Sequence, residues 1–208
     1  MIIIATDRRL EPAGVTCDFE LALINAVVDQ FPKVHIVGCL FHWKQALRRH
    51  MLDQGLTRDQ VKDAMTPGKL DILTIIPADE INDKGIRYVR SLINEEGSKG
   101  KWDQFWRYFR KTWMGRFDSS LWNVNSMMVG GNDITNRTNN PLEKYNRDFG
   151  EKFGRGAHPS LLAFMEIAKV EALGYVNRIH DIKLGIQTAP RHAEAFVTQV
   201  PDDYTNFM

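Results

Sequence analysis

Two short apolar segments one helix-length apart, Val15-Thr16-Cys17 and Val34 to Leu40, constrain this chain more than any other feature. Between them, from Glu20 to Phe31, Leu21, Ile24, Val28 and Phe31 recur at three- and four-residue steps, the mark of one helix face, and Pro32 stops the pattern. Strand, crossover helix and second strand in so short a stretch predict a βαβ unit with parallel strands. A further helix from about Trp43 to Leu52, ended by Gly55, makes the pattern βαβα. The fold class is therefore α/β.

Beyond Thr57 the character changes. Asp59 to Met65, Ala78 to Asn94 and Trp102 to Trp113 all read as helices, separated by Pro67-Gly68 and by Gly97-Ser98-Lys99-Gly100. The last of them carries Trp102, Phe105, Trp106, Phe109 and Trp113 on one stripe. That spacing fits burial against another element; stacking on exposed bases is the other use of such aromatics. Pro141 and Pro159 each stand where a helix would begin, and the helix from Ser160 to Ile179 carries Leu161, Met165, Ala168, Ala172 and Val176 on one face. The expected organisation is a βαβα part over 1–56, a helical insertion over 57–130, C-terminal helices over 131–185 and a loose tail over 186–208.

The charge balance narrows the partners. With 27 basic and 26 acidic residues, affinity for nucleic acid has to come from local patches rather than from the net field. Such patches occur at Lys44, Arg48 and Arg49, at Lys101 to Arg116, and at Arg137, Lys144, Arg147, Lys152 and Arg155. Two cysteines, Cys17 and Cys39, are too few for a disulfide framework, and no charged segment followed by an apolar run opens the chain, so an intracellular setting is expected. No apolar run approaches the ~18 residues of a membrane span.

Three strings carry a resemblance. Cys17-Asp18-Phe19-Glu20 with Phe31-Pro32, then Gly38-Cys39-Leu40-Phe41-His42-Trp43, then Thr138-Asn139-Asn140-Pro141-Leu142-Glu143 with His158-Pro159 resemble, in order and spacing, the transposase domain of Mutator-like elements. The resemblance implies part of a ribonuclease-H-like fold, a short mixed sheet with flanking helices and an all-α insertion. It also implies an acidic triad of two aspartates and a glutamate holding two Mg²⁺ or Mn²⁺ ions. On that analogy Asp18 is the second aspartate and Glu143 the glutamate, both catalytic and metal-holding, while Cys39 and His42 form the family's Cys-x2-His. The partners implied are element ends and target DNA, met in the nucleus, with Lys44, Arg48, Arg137, Lys144 and Arg147 as phosphate contacts; homo-oligomerisation is left open.

Each of these residues also has a local reading. Asp18 suits the N-cap of the helix that follows. Asn140, Pro141 and Glu143 suit the N-cap, first and third positions of a helix, with Glu143 reaching back to the cap. Cys39 suits a small buried strand residue. Zinc is not expected, because Cys39 and His42 are two ligands where a closed site needs four. The family's first aspartate belongs on a strand two antiparallel strands ahead of Asp18, and Asp7, eleven residues upstream, is too near for that. The expectation is a fragment truncated at its N-terminus and inactive alone, or else a domesticated, non-catalytic DNA-binding or regulatory module.

Overall fold

A computed structural model describes residues 11–93, 95–130, 137, 140–154, 159–189 and 199–207. The run Met1 to Ala5, Asp7, Thr138, Asn139 and His158 lie outside the described residues. Strand β1 (Gly14–Cys17) pairs in parallel with β2 (His35–Gly38), Gly14 opposite His35 and Cys17 opposite Gly38, and helix α1 (Leu21–Gln30) makes the crossover. The mixed sheet expected from the resemblance is, among the described residues, this two-stranded parallel one. His35 is exposed at the start of β2, whereas Ile36, Val37 and Gly38 are buried.

Helix α1 uses its apolar residues differently from the expected face. Ile24 and the half-buried Val27 pack against Cys17, Ile36 and Val34, while Leu21 and Val28 stay exposed. A sheet of two strands is narrow, and it covers only one strip of the helix.

Helix α2 (Leu40–Asp53) begins one residue after β2, earlier than the sequence pattern suggests. Trp43, Leu47 and Met51, four residues apart, form its wholly buried stripe. Gly55, with φ +78°, ends it: the Gly55 amide donates to the Leu52 carbonyl (2.9 Å) and the Leu56 amide to the Met51 carbonyl (3.1 Å), a Schellman closure. Two residues later Thr57 and Gln60 form a reciprocal capping box that starts α3 (Arg58–Ala64).

The run Leu70 to Ile76 is buried throughout and forms a 3₁₀ turn (Leu70–Thr74). Its terminal carbonyls are closed from a distant segment. The Asn123 side-chain amide donates to the Leu73 and Ile76 carbonyls (2.9 and 2.8 Å), and that of Asn125 to the Ile75 carbonyl (2.8 Å). The helix expected over Ala78 to Asn94 is three pieces, a 3₁₀ turn (Ala78–Glu80), a π turn (Ile81–Gly85) and α4 (Ile86–Leu92). Gly85 lets the widened turn sit against the buried run, since a β-carbon there would come within 2.6 Å of Ile76 Cδ1.

Helix α5 (Lys99–Phe109) continues into a π turn (Arg110–Arg116). Trp102, Phe105, Trp106, Phe109 and Trp113 are all buried, so the aromatic stripe is core and does not present ring faces to bases. Trp43 stacks on Trp122 at 5.7 Å, and the Trp122 indole N–H donates to the Trp113 carbonyl at 2.7 Å. Residues of α2, α3, α4 and α5 thus share one core. The boundary expected at residue 57 does not separate two cores, because Trp43, Leu47 and Met51 before it share one cluster with Val61, Ala64 and Ile86 after it.

The final described segment also corrects an expectation. Pro201 to Phe207, with the short helix Asp202–Thr205, is not a loose tail: Tyr204 is buried, meets Tyr88 edge-on at 5.2 Å, and its hydroxyl donates to Glu80 Oε2 at 2.6 Å.

The chain divides into two compact units, Met1–Asn139 with Ala195–Met208, and Asn140–Glu194. Besides the elements above, the first includes a short helix, α6 (Asn125–Val129). The second unit contains α7 (Asn140–Glu151) and α8 (Leu161–Lys183). Aromatics of α7 and the turn after it choose the packing face: Phe149 and Phe153 contact Phe164, Tyr145 contacts Tyr175, and Lys152 pairs with Glu171. The face read from the sequence, Leu161, Met165 and Val176, is instead exposed. Among the described residues no helix is long and apolar enough to cross a membrane.

Candidate functional site

Helix α2 presents three faces. The first is the buried Trp43, Leu47 and Met51 stripe, which fixes its rotation. A second, His42, Gln45, Ala46 and Arg49, lines a cleft of about 370 Å³ together with Asp18, Phe19, Glu20 and Trp113. A third, Phe41, Lys44, Gln45, Arg48 and Leu52, lines a groove of about 480 Å³ shared with Arg58, Val61, Lys62, Met65 and Thr66 of α3 and the turn after it. The intervals of three, four and seven within each set are those of one helix face.

Asp18 directly follows β1, at the carboxyl end of a parallel strand, the edge at which open α/β sheets bind ligands. It is half-buried, and its Oδ1 accepts the Glu20 amide at 3.2 Å. The N-cap of α1 is Glu20 rather than Asp18, and no side chain caps that helix. The local reading of Asp18 as the N-cap therefore gives way to a tight turn that fixes its carboxylate. Phe19 anchors the turn from the other side, with its ring edge-on to Trp113 (4.7 Å) and Phe117 (5.3 Å).

Of the residues singled out from the sequence, the structure brings Asp18 and His42 to one cleft, and Lys44 and Arg48 to one groove. Cys39 is buried behind them, and its amide donates to the Cys17 carbonyl at 2.7 Å. The Cys17 thiol is pushed above its ordinary pKa by burial, with smaller contributions from Asp18 and Cys39. Glu143 lies in the first turn of α7, half-buried, and Lys144 and Arg147 are exposed on the same helix. That helix begins at Asn140, one residue before the start expected. Asp18 belongs to the first unit, and Glu143, Lys144 and Arg147 to the second.

Arg137, expected at a phosphate, is held at the start of α2. Its carbonyl accepts the Leu40 amide at the start of α2 (2.8 Å), and its guanidinium is buried, which lowers its pKa to about 10 although Asp71 offsets part of the loss. Asp71 is itself buried, accepts the Gly68 amide at 2.8 Å and pairs with Lys44 at 3.4 Å.

The donor set bears on the metal. Asp18 and Glu20 offer hard carboxylate oxygens at one cleft, the chemistry that suits Mg²⁺, which keeps several waters and needs one or two carboxylates. Among the described residues no three His, Cys, Asp or Glu side chains converge as a metal cage. Sequence reasoning did not assign Glu20, Gln45 or Trp113 to the site. The step of three from His42 to Gln45 and of four from Gln45 to Arg49 was the available signal for Gln45.

Comparison with family models, with curated proteins and with solved structures finds no match.

Proposed function

We propose that this chain is part of the ribonuclease-H-like core of a Mutator-like DNA transposase, a nuclear protein in which Asp18 and Glu143 are two of the carboxylates that hold Mg²⁺ or Mn²⁺. The observation that carries the reading is the Asp18 cleft: a carboxylate fixed at the carboxyl end of a parallel strand, with His42, Gln45 and Arg49 lining the same cleft. Divalent ions bound there would activate water or a DNA 3′-hydroxyl and stabilise the leaving oxygen of a phosphodiester. The chain's own contribution is to present the Asp18 oxygens through the Glu20 amide and to offer Arg49 and Gln45 as donors to phosphate oxygens. His42 lines the cleft and Cys39 supports the strand behind it. The triad needs three acids, of which Asp18 and Glu143 are the two proposed here, so cutting is expected only with the third in place.

A non-catalytic DNA-binding or regulatory module is the second reading, favoured by the exposed Lys144 and Arg147, whose charges do not depend on a metal. The test measures DNA retention against salt, Mn²⁺ binding by paramagnetic resonance, and Mg²⁺-dependent nicking. The transposase reading expects salt-dependent retention and Mn²⁺ binding that weakens in Asp18→Asn. Retention that survives Asp18→Ala and Glu143→Ala, falls on replacing Lys144 and Arg147, and is accompanied by no Mn²⁺ binding supports the module instead. No retention at low salt sinks both.

A further inference from the structure

The α2–α3 groove lies outside the cleft just described and shares only Gln45 with it. Four of its ten lining residues are cations, Lys44 and Arg48 from α2 and Arg58 and Lys62 from α3, and none is an acid. Each pair is spaced i, i+4, so two rows of positive charge, each with a rise of about 6 Å, border the groove. Lys44 is tied to Asp71 at 3.4 Å. Arg48, Arg58 and Lys62 are exposed and make no ion pair among the described residues. Three solvated cations facing one groove with no carboxylate on its walls form a local site for an anion on a chain that is almost neutral overall.

The remaining walls choose among anions. Phe41 is 41% exposed and Leu52 39% exposed, beside Val61 and Met65. A DNA duplex buries its base faces and offers phosphates alone, so it would use the charges and leave this apolar surface wet. An unpaired strand offers both, phosphates to the cations and base faces to Phe41 and the aliphatic side chains. An acidic amphipathic peptide would also match the charge. Its apolar face needs a groove lined by apolar side chains, whereas six of the ten residues lining this one, Lys44, Gln45, Arg48, Arg58, Lys62 and Thr66, are polar or charged.

We infer that the groove between α2 and α3 binds single-stranded DNA, with Arg48, Arg58 and Lys62 on the phosphates and Phe41 stacked on a base. This rests on the transposase reading, in which the adjoining Asp18 cleft acts on a DNA phosphodiester. The groove would then hold the strand and the shared Gln45 would mark where it passes into the Asp18 cleft.

The experiment uses the 208-residue chain and fluorescence anisotropy with a labelled oligothymidylate, a hairpin duplex of equal length and an acidic amphipathic peptide. The variants are Arg58→Glu with Lys62→Glu, and Phe41→Ala, all at exposed positions, with unchanged thermal unfolding as the folding control. The expected result is oligothymidylate binding that weakens about tenfold in each variant, with a shallower salt slope for the charge reversal and a smaller loss for the duplex. Oligothymidylate binding that is insensitive to the variants overturns the groove inference and leaves the DNA reading standing. Equal losses for duplex and single strand overturn it in favour of a backbone site. Binding of the peptide alone, or of nothing, overturns both the inference and the reading it rests on.

Discussion

The phenyl ring of Phe19 fills the space beside Gly38 where a β-carbon would stand, and the Leu121 carbonyl closes the same space at 2.9 Å from that position. The absence of a side chain at residue 38 therefore lets the residue after Asp18 fold back over the second strand and reach Trp113 and Phe117. Gly38→Ala is expected to cost about 1–3 kcal/mol by overpacking. Because the displaced ring is bonded to the Asp18 turn, it should also loosen the cleft. A double-mutant cycle in urea with Phe19→Ala checks it: the alanine at 38 should cost much less once the ring is gone. Strict additivity would mean that the two positions do not meet.

Asp71 is the shared counter-charge for Lys44 at the groove and for the buried Arg137 guanidinium. Asp71→Asn keeps a group able to accept the Gly68 amide but removes the charge, leaving a buried cation uncompensated. A loss of about 3 kcal/mol is expected by urea unfolding. Lys44→Met, at the partly exposed partner, should cost clearly less. The reverse ranking would place the ion pair, rather than the buried guanidinium, at the centre of this stability.

Within the first unit Tyr204 ties the last described segment to Glu80, 124 residues earlier, by a hydrogen bond, with an edge contact to Tyr88 and the Lys84 ammonium 4.6 Å from its ring centre. Burial and then the Glu80 carboxylate raise its pKa, so the phenol stays a donor throughout the neutral range. Tyr204→Phe should cost about 1 kcal/mol for the lost hydrogen bond, and Tyr204→Ala about 3 kcal/mol for the lost ring. Differential scanning calorimetry of both variants checks this. A native transition for Tyr204→Ala would return the segment to the role of a dispensable tail.

The βαβ unit was legible because its apolar spacing switches from strand to helix and back between Val15 and Leu40, and each switch carries a stop signal such as Pro32. The run Leu70 to Ile76 was not, since a segment buried on every side shows no period, and its carbonyls are satisfied by Asn123, 47 to 50 residues away. The face of α8 was misassigned for a related reason. Apolar residues occur all round that helix, and the choice fell to aromatics on α7 that sequence periodicity does not weigh. At the site, Asp18 and His42 were readable from short motifs. Arg58 and Lys62 were not grouped with Lys44 and Arg48, because the two rows meet only across a helix turn that the Schellman closure at Gly55 sets.

His50 is expected to contribute to the acid side of the stability curve. It lies on α2 in stacked contact with Tyr108, ring centres 3.6 Å apart, with its Nε2 3.4 Å from the Gln54 amide nitrogen. Burial lowers its pKa below the ordinary 6.5, and the nearby Asp53 offsets only part of that. In the unfolded chain the imidazole takes up its proton near 6.5, while in the folded chain it does so only at lower pH, so between the two values the unfolded state binds more protons. Stability therefore rises with pH through this window: above 6.5 the ring is neutral in both states and nothing is lost, and as pH falls through the folded value the penalty becomes complete. His50→Phe keeps a ring against Tyr108 but cannot titrate. Urea midpoints measured from pH 7.5 down to 5 should fall for the parent and fall less for the variant, the gap opening below about 6.5. Parallel curves for the two proteins would move the acid sensitivity to carboxylates elsewhere in the fold.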